Sequence, residues 1–99
     1  ARRNNRYYTK CMKIDFDPGK DAKNRARHGV SLALAAEMEW ETALIWSDRR
    51  VDYGEDRQVG VGYIGMRLFV VVFVDRPGAR RIISLRKATR TEIDRYATS

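Results

Sequence analysis

The stretch from Met66 to Thr91, MRLFVVVFVDRPGARRIISLRKATRT, decides the fold of this chain of 99 residues. Its run from Leu68 to Val74 is continuously apolar and rich in Val and Phe, which is typical of a central strand buried on both faces. The turn sequence DRPG follows, and we predict a second strand from Arg80 to Leu85. The two strands form a hairpin, and the second one leads directly into Arg86 and Lys87.

The chain before this hairpin predicts a strand and two helices. Polar and apolar residues alternate from Lys13 to Asp17, which indicates a short strand. Asp17 is expected to cap a polar helix from Gly19 to His28, because a proline suited to the first helical position follows it, and a glycine ends this helix. Ser31 is expected to cap a second helix from Leu32 to about Trp40, whose apolar stripe faces the core.

Further strands and one more helix complete the predicted fold. Strands are expected from Ala43 to Trp46 and from Arg57 to Ile64, separated by a polar loop over residues 47–56. The sequence TRTE has the spacing of a capping box, which predicts a last helix from Arg90 to about Ala97. The order β-α-α-β-β-β-β-α indicates an α+β domain, in which two N-terminal helices and a short C-terminal helix pack on an antiparallel sheet.

The composition describes a small basic domain. Twenty Lys and Arg residues against 13 Asp and Glu residues give a formal net charge of +7, which favours nucleic acid first and an acidic protein second as the partner. Residues 1–11 contain four cations and no acid, and we expect them to be a flexible extension of a single domain at residues 12–99. No run reaches the roughly 20 apolar residues of a membrane span, so we expect no membrane contact. The single cysteine fits a reducing cytoplasm.

Two classes of site are disfavoured. One His and one Cys among scattered acids have no metal-ligand spacing, so neither a metal site nor a cofactor is predicted. Residues 60–65 (GVGYIG) match the dinucleotide-binding pattern GxGxxG, but a strand rather than a helix is expected after them, which favours strand and turn glycines. His28 precedes a helix-ending glycine, and a structural role there is favoured over catalysis.

Basic side chains are concentrated on the predicted strands. Arg57, Arg81, Arg86 and Lys87 lie on or beside strands of one small sheet, where such residues can converge on one face. Guanidinium groups bind phosphate bidentately and stabilise the extra negative charge of a pentacoordinate phosphorus. Cleavage by Arg, Lys and Tyr side chains requires no metal when the nucleophile is the 2′-hydroxyl of RNA. A passive RNA-binding sheet would carry the same residues, so both alternatives stay open.

Two other groups of side chains also have alternative interpretations. Lys20 and Lys23 share one face of the first predicted helix, which by itself is typical of a solvated face. Trp40 and Trp46 flank the predicted transition from helix to strand. Core packing is favoured for both tryptophans, and a groove for a partner protein is the alternative.

Several spaced blocks carry a more specific signal. They are Ile14–Lys20 (IDFDPGK), Asn24–Ser31 (NRARHGVS), Glu55–Arg57 (EDR), Arg81–Ala88 (RIISLRKA), Glu92 and Tyr96. In this order they resemble the BrnT family, the ribonuclease toxins of bacterial type II toxin–antitoxin systems, over a range from Met12 to about Ala97. Two departures are Arg27, where the family usually has lysine, and Gln58, where it often has an aromatic residue.

The resemblance implies a RelE-like fold and RNA cleavage that inhibits translation and arrests growth. It also implies a cytoplasmic protein that is neutralised by a BrnA-type antitoxin, with operator DNA contacted only through that antitoxin. The alternative function is a non-catalytic basic module that binds RNA or another protein.

Site roles follow from charge and from the positions that match the family. We expect Arg57 and Arg86 to clamp the scissile phosphate of a metal-independent endoribonuclease, with Lys20 or Lys87 assisting. Tyr96 is expected to transfer a proton or to stack on a base. The other residues expected to bind RNA are Lys87, Arg81, His28 and Lys23.

Overall fold

Five strands and two α-helices are formed by the residues that the computed structural model describes, 13–49 and 54–98. The strands are β1 (Lys13–Phe16), β2 (Leu44–Ser47), β3 (Gln58–Ile64), β4 (Arg67–Arg76) and β5 (Ala79–Lys87), and the α-helices are α1 (Pro18–His28) and α2 (Arg90–Ala97). Two 3-10 helices, Leu32–Glu37 and Trp40–Thr42, precede β2. The predicted extension at residues 1–11 and part of the predicted loop lie outside the described residues.

The strands form one mixed sheet in the order β1-β5-β4-β3-β2, so the apolar strand β4 is central, as predicted. Neighbours from β2 to β5 are antiparallel, whereas β1 pairs with β5 in parallel, with Lys13 opposite Ala79 and Phe16 opposite Ile82. The prediction of an antiparallel sheet was therefore wrong at this edge. The connections between β2 and β5 determine only the directions of those strands, because β1 is separated from them by a long helical segment.

The two faces of the sheet are covered unequally. The face on which Phe73 lies, here the core face, packs on the 3-10 helices; its buried cluster is Leu32, Ala35, Met38, Phe69, Val71, Phe73, Ile82 and Leu85. The other face, here the open face, carries Val72 and a smaller buried cluster, Val61, Leu68 and Val70. Tyr96 of α2 packs against that smaller cluster, so α2 covers only one end of the open face.

An extra residue interrupts the ladder between the two long strands. Phe73 pairs with Ile82 and Val72 pairs with Ser84, which leaves Ile83 as a bulge in β5. No alternation in the sequence marks this position, because Ile82 and Ile83 are chemically alike.

The bulge determines which side chains of β5 reach each face. Ile82 and Leu85 both lie on the core face and are fully buried, since directly opposite residues of a ladder share a face. By the same pairing, the open face carries three polar side chains of β5, namely Arg81, Ser84 and Arg86. The strand extends to Lys87, so the two cations predicted to follow it belong to it.

Residues 32–42 form two 3-10 helices where one α-helix was predicted, and that prediction was wrong. Ser31 caps the first of them as expected. The buried residues of this segment are Leu32, Ala35 and Met38. Their spacing of three is the repeat of a 3-10 helix. The backbone N–H of Glu39 donates to the carbonyl of Tyr63 at 2.9 Å, which fixes the chain to β3 before a longer helix can form.

Both α-helices begin and end close to the predicted positions. Asp17 is the N-cap of α1 and accepts from the backbone N–H of Lys20 at 3.0 Å, and Gly29 ends the helix with a φ of 77°, the left-handed conformation that glycine adopts at least cost. At the start of α2, Thr89 and Glu92 form the predicted capping box. These local signals were sufficient because a cap depends on neighbours in sequence rather than on the tertiary fold.

The buried side chain of Asn24 joins α1 to the edge of β5 beyond the end of β1. Its amide nitrogen donates to the carbonyl of Leu85 at 2.8 Å and to the carbonyl of Val30 at 3.0 Å. Its amide oxygen accepts from the backbone N–H of Leu85 at 3.1 Å. Asn24 thus exchanges both hydrogen bonds with one strand residue, as a neighbouring strand would, and satisfies polar backbone groups where β1 no longer reaches.

Candidate functional site

A groove of about 740 Å³ lies on the open face, between β2 and α2. Its apolar lining comes mainly from four valines of the sheet, Val59, Val61, Val70 and Val72. The charged residues that line it are Asp48, Arg49, Arg86, Glu92 and Arg95, and Tyr96 and Ser84 lie among them. Because the valines continue the apolar surface that α2 covers at one end, the groove is the uncovered remainder of the open face.

Arg86 is held in this groove by Glu92. One guanidinium nitrogen (Nη1) donates to Oε1 at 2.9 Å and the other (Nη2) donates to Oε2 at 2.7 Å, the bidentate arrangement that fixes a guanidinium most firmly. Glu92 also accepts from the backbone N–H of Thr89 at 2.8 Å. These contacts, with the Arg86 hydrogen bond first, lower the pKa of Glu92 to about 2. The carboxylate therefore stays charged and orients the arginine across the range in which most proteins function.

Tyr96 lines the same groove as Arg86. Its ring packs edge-to-face on Tyr63 with the ring centres 5.6 Å apart, and its hydroxyl donates to the carbonyl of Thr42 at 3.0 Å. The tyrosine is therefore an anchor between α2 and the chain that enters β2. Proton transfer by Tyr96, which stays a prediction, would require exchange of this hydrogen bond.

A second groove, of about 590 Å³, lies between α1 and β5. Its lining is basic, and the residues are Lys20, Lys23, Asn24, Ala26, Arg27, His28, Ile83 and Ser84. Burial is the largest cause that lowers the pKa of His28 from 6.5, and the charges of Arg27 and Arg86 lower it further. At pH 7 the imidazole is accordingly neutral and can donate or accept a hydrogen bond.

The two grooves adjoin along β5. Ser84 lines both of them, and the charge of Arg86 acts on His28 across this boundary. Lys20 and Lys23, for which a solvated face was the simpler interpretation, line the same groove as His28. The structure thus brings Lys20, Lys23 and His28 together with Arg86 and Tyr96 along one connected surface, a result that spacing in the sequence does not reveal.

The remaining selected residues lie elsewhere. Arg57 precedes β3 and pairs with Glu55 at 2.9 Å, and Arg81 pairs with Asp15 of β1 at 3.5 Å. Lys87 is opposite Phe69 and so projects from the core side of the sheet. None of these three cations lines either groove, and their expected roles stay predictions.

Several residues of the groove were not selected from the sequence. One of them is Arg95, which follows Glu92 by three positions, so helical spacing could have placed it on the same face of α2 as Glu92 and the selected Tyr96. Arg49 has no such signal. Trp46 was expected in the core but is 50% exposed in the groove wall, so that expectation was wrong, whereas Trp40 packs edge-to-face on Phe73 at 5.4 Å between ring centres, as expected.

No group of three His, Cys, Asp or Glu side chains within residues 13–49 and 54–98 is arranged to hold a metal ion. The polar side chains that line the two grooves are chiefly Arg, Lys, His and Tyr. These are residue types that bind phosphate through charge and hydrogen bonds.

A comparison with models of protein families identifies the family of this chain. The model for the ribonuclease toxin BrnT of type II toxin–antitoxin systems matches residues 16–92. The chain belongs to the BrnT family. Membership in a family of ribonuclease toxins implies RNA as the substrate and an antitoxin as the protein partner.

The match to the BrnT family includes all of α1 and β5, and with them the residues of the second groove, Arg86 and Glu92. Tyr96 lies beyond its end. No curated protein sequence shows significant similarity to the chain. None of the helices in the described part of the chain is long and apolar enough to cross a lipid bilayer.

Proposed function

We propose that the protein is a cytoplasmic, metal-independent endoribonuclease toxin that cleaves RNA at Arg86 and thereby halts translation and growth. The observation that carries the proposal is the connection at Ser84 between a basic groove and the groove in which Glu92 orients Arg86. Family membership supports RNA as the substrate. The geometry of the two grooves supports the proposed location at Arg86.

The RNA backbone is proposed to follow the groove between α1 and β5. Lys20, Lys23 and Arg27 supply positive charge along it, and His28 supplies a neutral hydrogen-bonding group. Phosphate contacts of this kind position a nucleic acid without reading its sequence. Arg86, at the end of the path, then meets the scissile phosphate.

The chemistry requires only the RNA, the residues of the grooves and solvent water. The 2′-hydroxyl of the RNA gives its proton to water as its oxygen attacks the adjacent phosphorus and a new P–O bond forms. The bond to the 5′-oxygen of the next nucleotide breaks, and this oxygen takes up a proton from water. The products are a 2′,3′-cyclic phosphate and a 5′-hydroxyl. Arg86 stabilises the additional negative charge on the phosphorane, and Lys20 assists by its charge.

Glu92 orients the guanidinium of Arg86 but also competes with the substrate phosphate for its N–H donors. The carboxylate takes one N–H from each terminal nitrogen of the guanidinium, so an incoming phosphate either binds other N–H donors of Arg86 or displaces Glu92. The proposed ground state therefore holds the arginine in position before substrate arrives, which lowers the entropic cost of binding.

The fold and the partners are proposed to follow the family. A five-stranded sheet with a C-terminal helix supports a RelE-like assignment. A BrnA-type protein is the proposed antitoxin, and operator DNA is contacted through it alone.

The test is cleavage of end-labelled RNA by purified protein in EDTA, with the product ends identified. Arg86→Ala is expected to lower the rate by about 100-fold or more, because removal of one such group from a transition-state site costs about that much. Arg90→Ala, at the exposed first residue of α2, is the matched control and should cleave normally. A fully active Arg86→Ala protein contradicts the site, and bound but intact RNA supports the alternative of a non-catalytic binding module.

A further inference from the structure

β2 is the last strand on one side of the sheet. The backbone N–H of Asp48 donates to the carbonyl of Arg57 at 2.8 Å, which fixes the phase of the β2–β3 ladder. In an antiparallel ladder, hydrogen-bonded pairs alternate with pairs that are not hydrogen-bonded. Since Asp48 is hydrogen-bonded to β3, Ser47 and Ile45 are in the other kind of pair, and their backbone N–H and carbonyl groups point away from β3. Within the described residues, no strand pairs with that outer edge.

The sequence of β2, Leu44–Ser47 (LIWS), does not protect this edge. Apart from its length of four residues, this strand has none of the features that shield edge strands, such as charged residues, proline or a bulge. Trp46 on the open face is 50% exposed, and Ile45 on the core face is 40% exposed. Exposed apolar side chains therefore flank the edge on both faces, which marks a surface that another chain covers.

The groove beside this edge combines an apolar floor with positive charge at its border. Val59 and Val72 remain half-buried beyond the reach of α2. Arg49, Arg86 and Arg95 outnumber the acids Asp48 and Glu92 in the lining, and Glu92 is already engaged by Arg86. An incoming strand turns every second side chain toward the groove, and a segment that has both apolar and acidic residues at these positions complements both features.

We propose that the antitoxin neutralises this toxin by adding an extended segment to the outer edge of β2. Its backbone pairs with Ile45 and Ser47, and its apolar side chains cover Trp46 and the adjacent valines. Its acidic side chains face Arg49 and Arg95, and the segment closes the groove that contains Arg86. The blocking effect rests on the proposed function, whereas the docking edge does not.

The test measures binding and cleavage separately, with the antitoxin protein encoded beside the toxin gene as the probe. Ser47→Pro removes an outward N–H that the β2–β3 ladder does not use, and Trp46→Ser removes the exposed ring. Each is expected to weaken calorimetric binding of the antitoxin by about tenfold or more, as loss of an interface anchor does. Met66→Ser, at a 99% exposed apolar residue in the β3–β4 turn, is the matched control and should bind as the wild type does.

The outcomes distinguish this inference from the proposed function. Weakened binding with RNA cleavage retained by the free variants supports docking at β2. Unchanged binding of both folded variants, verified by circular dichroism, overturns it, whether or not the wild type cleaves RNA. Lost cleavage with unchanged antitoxin binding also overturns it, and would assign Trp46 to the stacking of an RNA base. A wild-type protein that binds antitoxin but cleaves no RNA contradicts the proposed function alone.

Discussion

The two faces of the sheet differ in how completely the chain covers them. On the core face, the 3-10 helices bury Phe73, Ile82 and Leu85 fully. On the open face, α2 covers Val61 and Val70 but leaves the neighbouring Val72 half-buried in a groove. The comparison indicates that the two faces have different roles. The core face supplies stability, and the incompletely covered open face supplies the surface on which the cations converge.

The largest expected effect separates the faces directly at two adjacent residues of β4. Phe73→Ala removes a fully buried ring that contacts Trp40 and lies 4.3 Å from the guanidinium carbon of Arg80. It is expected to lower the free energy of unfolding by about 3–5 kcal/mol. Val72→Ala on the open face is the control, with an expected loss of about 1 kcal/mol. Urea denaturation of both variants measures the difference, and equal losses would contradict the proposed asymmetry.

The next effect concerns the edge of the core face at Asn24. Asn24→Leu removes three hydrogen bonds and leaves the N–H and carbonyl of Leu85 without them in a buried position. We expect a loss of about 2–3 kcal/mol, because unsatisfied buried polar groups pay their full desolvation cost. Asn24→Asp keeps the acceptor for the N–H of Leu85 but sets a carboxylate oxygen against the carbonyls of Leu85 and Val30, so we expect it to destabilise the protein at pH 7 at least as much as leucine does. A leucine variant as stable as the wild type in urea would show that the bridge is dispensable.

The smallest effect lies on the open face and depends on pH. The folded-state pKa of Glu92, about 2, is below its ordinary value of 4.5, so its stabilising contribution is complete above pH 4.5 and is lost as the pH falls toward 2. The side chains of Arg86 and Glu92 are 33% and 28% exposed, and we expect screening to reduce the contribution to about 1–2 kcal/mol. Glu92→Gln should lose this amount at pH 7.

The measurement for Glu92→Gln is the stability difference from the wild type between pH 7 and pH 2. Because the other acids titrate in both proteins, the difference isolates Glu92 and is expected to shrink as the pH falls through the window from 4.5 to 2. If the difference in stability between the two proteins is constant over this range, the ion pair between Arg86 of β5 and Glu92 of α2 does not contribute to stability.

Features that depend on neighbours in sequence were predictable. The strand β4, the hairpin at Pro77 and Gly78 and the capping box of α2 follow from local patterns and are present in the structure. The parallel pairing of β1, the 3-10 geometry before β2 and the bulge at Ile83 were not predicted. Each of these is set by contacts between residues distant in sequence, such as the bond from Glu39 to Tyr63.

The candidate site, too, was predictable only where it depends on neighbours in sequence. Arg86 and Lys20 were selected because they match the blocks of the family, whereas the shared helical face of Lys20 and Lys23 by itself indicated a solvated face. The convergence of these residues beside Ser84 depends on how α1 docks against β5, for which Asn24 is the main polar contact. Arg57, Arg81 and Lys87 carry the same charge but line neither groove. The first two pair with Glu55 and Asp15, and Lys87 projects from the core side of the sheet.

The extra residue at Ile83 determines the side of the sheet on which Arg86 lies. Ile82 and Leu85 share the core face although three positions separate them, an odd spacing that a regular strand would place on opposite faces. If β5 paired with β4 without the bulge, so that Ile83 lay opposite Val72, Leu85 would turn to the open face and Arg86 to the core face. Deletion of Ile83 itself would remove the bulge and leave Arg86 opposite its present partner, so we expect the groove to tolerate this deletion better than a register shift that keeps every residue.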